Sequence, residues 1–186
     1  MSTAKKSSNP ARPKHRGDSW ADVAQGAEPN HYYSNGQRIS IRRDDDQVAV
    51  LLSHPSASGM RVRLEQHGLE LRSGVFLVPA SVLSDSERAR LESDGALFPV
   101  FEAEGGRLIL MPEVRVQGRD HAQVREIRTH LTDEDLADDI EESGNLVQFR
   151  PRSGKAIDAL RLANAIQERI GPDMSQARFL RVVPRS

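Results

Sequence analysis

The sequence predicts an α+β fold in which one small unit is built twice. In residues 105–116 a Gly-Gly turn precedes a β-type run, and a short break then leads to an alternating strand. Residues 36–50, some seventy positions earlier, carry a weaker copy of the same pattern. A pattern that recurs along a chain indicates a repeated structural unit, so we expect the two stretches to occupy equivalent places in two similar domains.

The first unit is predicted over residues 31–103. Ordered structure is expected to begin at His31. Asn35-Gly36 is a strong hairpin signal, because both residues tolerate the left-handed backbone that a two-residue turn requires. The acidic triplet at residues 44–46 predicts a polar turn before a buried strand over residues 48–52. Periodicity, turn residues and a capping box predict the rest of the unit, which comprises a helix over residues 56–67, a hairpin about residues 73–74, a helix over residues 84–94 and a strand over residues 97–101.

The second unit is predicted over residues 104–186 and repeats the same order of elements. It comprises a strand over residues 108–116, a helix over residues 120–131, a strand over residues 145–150, a helix that begins at Ser153 and a strand over residues 177–183. The acidic stretch 132–142 is the weak point, because Leu136 and Ile140 have helical spacing where a strand is due. This stretch is predicted to be either a very short strand or a helical turn.

The order strand-helix-strand-strand-helix-strand is that of the ferredoxin-like fold. The predicted architecture is therefore two tandem ferredoxin-like (βαββαβ) units with antiparallel sheets, preceded by an N-terminal tail. Since the aromatic content is low, each unit is expected to have a modest core and marginal stability alone.

Residues 1–30 are predicted to form a disordered basic tail. They are rich in Ser, Pro, Lys and Gly, and their cations precede the first acid at Asp18. Such a tail is able to contact RNA, DNA or an acidic partner, although a solubilising role is the simpler hypothesis. Trp20 lies in this tail and has two possible roles, which are docking on a partner protein as a short motif and folding back on its own domain.

No residue pattern in the chain predicts catalysis, a cofactor or a metal site. The acidic run at residues 133–142 lacks the alternating oxygen ligands of a calcium loop, and His121 and His130 lack the spacing of a helical zinc pair. His54 lies among serines, but no Gly-x-Ser-x-Gly turn frames any of them. With no cysteine and no long apolar run, the protein is expected to act in the cytoplasm, away from membranes and without enzymatic activity.

Three groups of hydrophobic motifs have a counterpart in a known family. They are Tyr33-x-x-Gly36-x-Arg38-x-x-Ile41 leading to Val48-Ala49-Val50, Phe98-Pro99-Val100-Phe101 with Leu108-Ile109-Leu110 leading to Val114-Arg115-Val116, and the helix at residues 159–165 followed by Ala177-Arg178-Phe179. These motifs resemble the N-terminal prosegments of bacterial subtilisin-like serine peptidases, over a span from about His31 to the C-terminus.

The resemblance implies two tandem ferredoxin-like units that chaperone and inhibit a protease. In such prosegments the last sheet packs on the protease, and the chain after the final strand lies in the substrate cleft. The matching segment here consists of Arg181, Val182, Val183, Pro184, Arg185 and Ser186. Because none of the family's catalytic motifs is present, we expect a non-enzymatic protein that binds a separately encoded protease. The alternative is a regulatory or adaptor subunit of a multiprotein bacterial assembly, which has lost any link to a protease.

Overall fold

The computed structural model describes residues 19–23, 26–71 and 74–182. These residues form an α+β fold. Its elements in chain order are α1 (Trp20–Val23), β1 (His31–Ser34), β2 (Gln37–Ser40), β3 (Arg42–Leu51), α2 (Arg61–His67), β4 (Leu69–Glu70), β5 (Val75–Pro79), α3 (Asp85–Ser93), β6 (Leu97–Ala103), β7 (Gly106–Gln117), α4 (His121–Asp133), β8 (Ala137–Ser143), β9 (Leu146–Pro151), α5 (Ala156–Arg169) and β10 (Met174–Val182).

Eight strands, β3 to β10, form one antiparallel sheet, and β1 and β2 form a separate hairpin. Strands β3 to β6 make the first half of the sheet, in the spatial order β4-β5-β3-β6. Strands β7 to β10 make the second half, in the order β8-β9-β7-β10. In both halves the first strand in sequence lies between the third and the fourth, and the second strand lies at the edge. Pairing of β6 with β7 joins the two halves.

The acidic triplet at residues 44–46 lies inside β3, so the predicted polar turn is wrong. The pairing of β3 with β6 shifts register between Arg43 and Val48, which accommodates the extra residues without ending the strand. Asp44 is 8% exposed, and its Oδ2 accepts from Nε of Arg107 at 3.0 Å. The buried carboxylate is thus paired by a strand of the other half, which no local pattern could reveal.

Residues 132–142 contain all but the last residue of the seven-residue strand β8, so neither predicted alternative for this stretch is correct. Strand β8 pairs with β9 and shifts register between Asp138 and Glu141. A bulge and a row of acidic side chains are common on exposed edge strands, because they prevent pairing with other chains. Leu136 and Ile140 are four positions apart, which suggested a helical turn. The structure explains this spacing, because Leu136 is buried before the strand begins and Ile140 lies at the bulge.

The elements before β3 lie outside the main sheet. Hairpin β1–β2 confirms the Asn35-Gly36 signal, but it is not part of the main sheet. The predicted tail includes the short helix α1, and residues 1–18 lie outside the described residues. Helix α2 begins at Arg61 and not at residue 56, because Pro55–Ala57 forms a 3-10 turn.

The buried side chains form two clusters. One packs α2 and α3 on the first half of the sheet and includes Leu64, Phe76 and Leu91. The larger cluster contains Phe98 of the first half together with Leu160 of α5, and it extends through the second half. The halves therefore share a core as well as a sheet.

The capping box predicted for the second helix is confirmed at the start of α3. Oγ of Ser84 accepts from the backbone N–H of Glu87 at 3.3 Å, and Oε2 of Glu87 accepts from the backbone N–H of Ser84 at 2.8 Å. Arg63 of α2 donates to the same carboxylate. The Arg63 hydrogen bond and then the Ser84 N–H lower the pKa of Glu87 from 4.5 to about 2.

The low pKa of Glu87 predicts a loss of stability in acid. Because the folded-state pKa lies below the ordinary value, the stabilisation is complete above pH 4.5 and is lost as the pH falls from 4.5 to about 2. We expect Glu87→Gln to flatten this part of the profile by lowering stability at neutral pH, because Gln can close the capping box but lacks the negative charge that pairs with Arg63. Urea midpoints measured across this range test the prediction, and parallel profiles for wild type and variant would contradict it.

Candidate functional site

The second half of the sheet has a face that is open to solvent. Val114 and Val116 of β7 are fully buried, whereas the alternating residues Glu113 and Arg115 lie on the other side of the strand. Positions of β9 and β10 next to Glu113 and Arg115 continue that side with polar residues. We define the exposed sheet face by Glu113, Arg115, Gln148, Arg150 and Arg178.

Glu113 is the electrostatic centre of the exposed sheet face. Nη1 of Arg178 donates to its Oε2 at 2.6 Å, and Nη2 of Arg150 lies 3.5 Å from its Oε1. The carboxylate on β7 is therefore joined to a guanidinium on each neighbouring strand. Exposed ion pairs contribute about 0–1 kcal/mol each to stability. Their main consequence here is a fixed pattern of charges, which favours a partner of complementary pattern.

A hollow of about 500 Å³ opens beside Glu113, where β8 bulges. Its walls include Asp139, Ile140 and Glu141 of β8 and Arg150 of β9. Asp139 has a left-handed backbone, with φ of 52°. Since carboxylates outnumber the guanidinium group, the hollow suits a basic side chain of a partner better than an acidic one.

Strand β10 brings part of the predicted protease-binding segment to the surface. Arg181 is exposed and Val182 is buried at the end of the strand, where it pairs with Arg107. The rest of that segment lies outside the described residues, namely Val183, Pro184, Arg185 and Ser186.

Trp20 folds back on its own chain. It is 8% exposed, and its ring centre lies 5.4 Å from that of His130 on α4. The guanidinium carbon of Arg169 on α5 lies 4.8 Å from the Trp20 ring centre, which is the distance of a cation–π contact. Of the two roles that the sequence left open, folding back is the one seen here. A partner role for Trp20 requires release of these contacts.

His54, Ser56 and Asp94 lie together, but their hydrogen bonds differ from those of a nucleophile and its base. Nδ1 of His54 accepts the backbone N–H of Ser56 at 3.2 Å and so caps the 3-10 turn. The hydroxyl of Ser56 donates to the carboxylate of Asp94. In a Ser–His pair the serine hydroxyl donates to the imidazole. Here His54 accepts a backbone N–H and Asp94 accepts the hydroxyl, so the arrangement is not that of a Ser–His pair.

The acidic side chains of β8 are spread along a strand, and two of them pair with cations. Oε1 of Glu142 lies 3.1 Å from Nη1 of Arg128, and Oδ1 of Asp138 lies 3.1 Å from Nη1 of Arg152. Among the described residues, no three His, Asp or Glu side chains are grouped so as to hold a metal ion. In the same part of the chain, no helix is both long and apolar enough to cross a membrane.

Sequence reasoning missed the charges of the exposed sheet face. The alternation in Val114-Arg115-Val116 does indicate one buried and one exposed side of β7. It cannot show that Glu113 meets Arg150 and Arg178, because these residues come from three strands whose order depends on the whole sheet.

Two surfaces are candidates for partner binding, namely the exposed sheet face and the end of β10. Trp20 is a third candidate once its contacts are released. Comparison of the chain with family models, curated proteins and solved structures finds no match.

Proposed function

We propose that the chain is a non-enzymatic binding protein that inhibits, chaperones or scaffolds a separately encoded subtilisin-like serine protease in the cytoplasm. The resemblance to protease prosegments motivates the choice of partner. The repeated strand order supports the corresponding architecture, since both halves have a helix between the first and second strands and another between the third and fourth. We therefore propose that residues 42–103 and 106–182 are two ferredoxin-like units.

The position of β10 carries the proposal. It is the last strand of the second half, it is paired with β7 up to Val182, and it continues directly into residues 183–186. Arg178 of the same strand belongs to the exposed sheet face. A protease that packs on this face would contact β10. An extended segment can add to the edge of a substrate cleft as a strand, through main-chain hydrogen bonds and side-chain pockets.

Deletion of residues 183–186 is expected to weaken inhibition of a purified subtilisin-like protease at least tenfold. Tenfold corresponds to about 1.4 kcal/mol, which is the net value of one or two hydrogen bonds, each roughly 1 kcal/mol. The measurement is residual protease activity against the concentration of added protein. Melting temperatures of the wild type and the deletion variant are compared, so that loss of inhibition is separated from loss of folding.

Val62→Ala is the matched control, since Val62 is 65% exposed on α2, away from the second half. Its inhibition constant should equal that of the wild type. A full-length chain that is degraded by the protease without inhibiting it would show that the protease role is wrong.

The alternative function is a regulatory or adaptor subunit of a multiprotein assembly. The fixed charges around Glu113 favour it, because a surface with a fixed charge pattern suits a protein partner that need not have a cleft. The same deletion separates the two functions. An adaptor should bind its partner equally well without residues 183–186, and should lose binding when Arg178→Glu reverses a charge next to Glu113.

A further inference from the structure

Residues 19–23 and 26–41 form an arm that is attached to the first half of the protein and packs on the second. Strand β3 follows the arm directly and belongs to the first half. In the described part of the arm, the backbone–backbone hydrogen bonds run only between arm residues. Side chains therefore make the polar contacts between the arm and the protein body, so the arm can leave without breaking a sheet ladder.

Polar residues of α5 hold the backbone of the arm. Nη2 of Arg161 donates to the carbonyl oxygen of Gly26 at 2.6 Å, and Nδ2 of Asn164 donates to the carbonyl oxygen of His31 at 2.9 Å. Glu168 lies one turn further on the same side of the helix. We define the outer stripe of α5 by Arg161, Asn164 and Glu168.

Two aromatic side chains anchor the arm at the end of α5. The hydroxyl of Tyr33 donates to Oε1 of Glu168 at 3.0 Å. Burial, followed by the hydrogen bond and charge of Glu168, raises the pKa of Tyr33. Trp20 is held between His130 and Arg169, as described above. The outer stripe and its surroundings thus recognise backbone carbonyl groups, an aromatic hydroxyl and an indole ring.

Asn164 shows that the arm satisfies the outer stripe only in part. The residue is 6% exposed, and its Oδ1 has no hydrogen-bond partner among the described residues. A buried acceptor without a donor is destabilising. The amide of Asn offers both donors and an acceptor, so it can take a peptide carbonyl and a peptide N–H together. The arm supplies the carbonyl alone.

We propose that the outer stripe of α5 is a docking site for an extended peptide segment of a partner protein. In the free protein the arm occupies this site as an intramolecular competitor. The partner segment supplies backbone carbonyl groups to Arg161 and Asn164, an N–H to Oδ1 of Asn164, and an aromatic hydroxyl to Glu168. Because the arm is joined directly to β3, its effective concentration at the site is roughly millimolar. The partner therefore displaces the arm only if the added N–H contact to Asn164 outweighs this advantage. The site is separate from the exposed sheet face and does not depend on the protease role.

Binding of a labelled synthetic peptide with the sequence of residues 18–40 tests the proposal. Full-length protein carrying Trp20→Ala and Tyr33→Phe has a weakened arm but an intact outer stripe. Its affinity for the peptide, measured by fluorescence anisotropy, should exceed that of the wild type at least about tenfold, because apparent affinity scales with the fraction of open sites. Adding Asn164→Ala should remove the gain, and Val62→Ala should behave as the wild type.

Equal peptide affinity for the wild type and the weakened-arm variant, both folded by circular dichroism, would overturn the proposal. Hydrogen exchange on the wild type provides a test that needs no variant. Amides of His31–Ser34 should exchange at least about tenfold faster than those of β7, because a two-stranded hairpin is only marginally stable once the arm has left α5. Equal protection would also overturn the proposal. Dimers of the wild type formed by exchange of arms, detected by light scattering, would assign the site to a second copy and overturn the partner role.

Discussion

A Phe76→Ala variant is expected to have a free energy of unfolding about 3–5 kcal/mol below that of the wild type. Phe76 on β5 is 1% exposed and lies in the cluster that packs α2 and α3 on the sheet. Alanine leaves a cavity, because Leu64 and Leu91 are held on separate helices and cannot move far to fill it. Urea denaturation followed by circular dichroism measures the difference.

The wild type and the Phe76→Ala variant are each expected to unfold in a single transition. Although Phe76 belongs to the first half, β6 pairs with β7, and Phe98 shares a cluster with Leu160 of α5. Loss of the first half therefore removes contacts from the second. Val62→Ala is the matched control and should change stability by less than about 0.5 kcal/mol. Two transitions, of which only one shifts in Phe76→Ala, would show that the halves unfold independently.

Gly68→Ala is expected to destabilise the protein by about 2–3 kcal/mol through overpacking. The backbone of Gly68 is ordinary extended chain, so conformational freedom is not the reason for glycine at the end of α2. A Cβ atom there would lie 2.5 Å from Cγ1 of Val78 and 2.7 Å from the carbonyl oxygen of Leu64. Relief of the Val78 contact would move the end of α2 away from β5, and relief of the Leu64 contact would distort the last turn of α2 itself. The change in urea midpoint measures the cost.

Gly144→Ala serves as the comparison for Gly68→Ala, because the two glycines have opposite properties. Gly144 has φ of 60° and no atom within 4 Å of an added Cβ, so only left-handed backbone strain opposes alanine. That strain is about 1–2 kcal/mol. If Gly68→Ala proved as stable as the wild type, the close approach of α2 to β5 would be wrong.

Local signals in the sequence predicted much of the secondary structure. The hairpin at Asn35-Gly36, the capping box of Ser84 and Glu87 and the helix predicted over residues 120–131 depend on residues at most a few positions apart. Each of these predictions is confirmed. Such signals act within one turn of a helix or one pair of strands, so the neighbouring residues suffice to specify them.

The errors fell where a distant residue decides the local structure. Strand β3 continues through the acidic triplet partly because Arg107, 63 positions further along the sequence, pairs with Asp44. Strand β8 is acidic because it lies at an edge, a position that depends on the order of the other strands. The charge cluster at Glu113 and the outer stripe of α5 were missed for the same reason.

By itself, the sequence determined the α+β class, the repeated order of strands and helices, and most turns and caps, because these follow from periodicity and backbone preference along the chain. Only the tertiary structure decided that the halves share one sheet and that the arm packs on α5. It also decided which polar residues face solvent together. These features depend on contacts between residues far apart in sequence, whose free energy appears only once the whole sheet has formed.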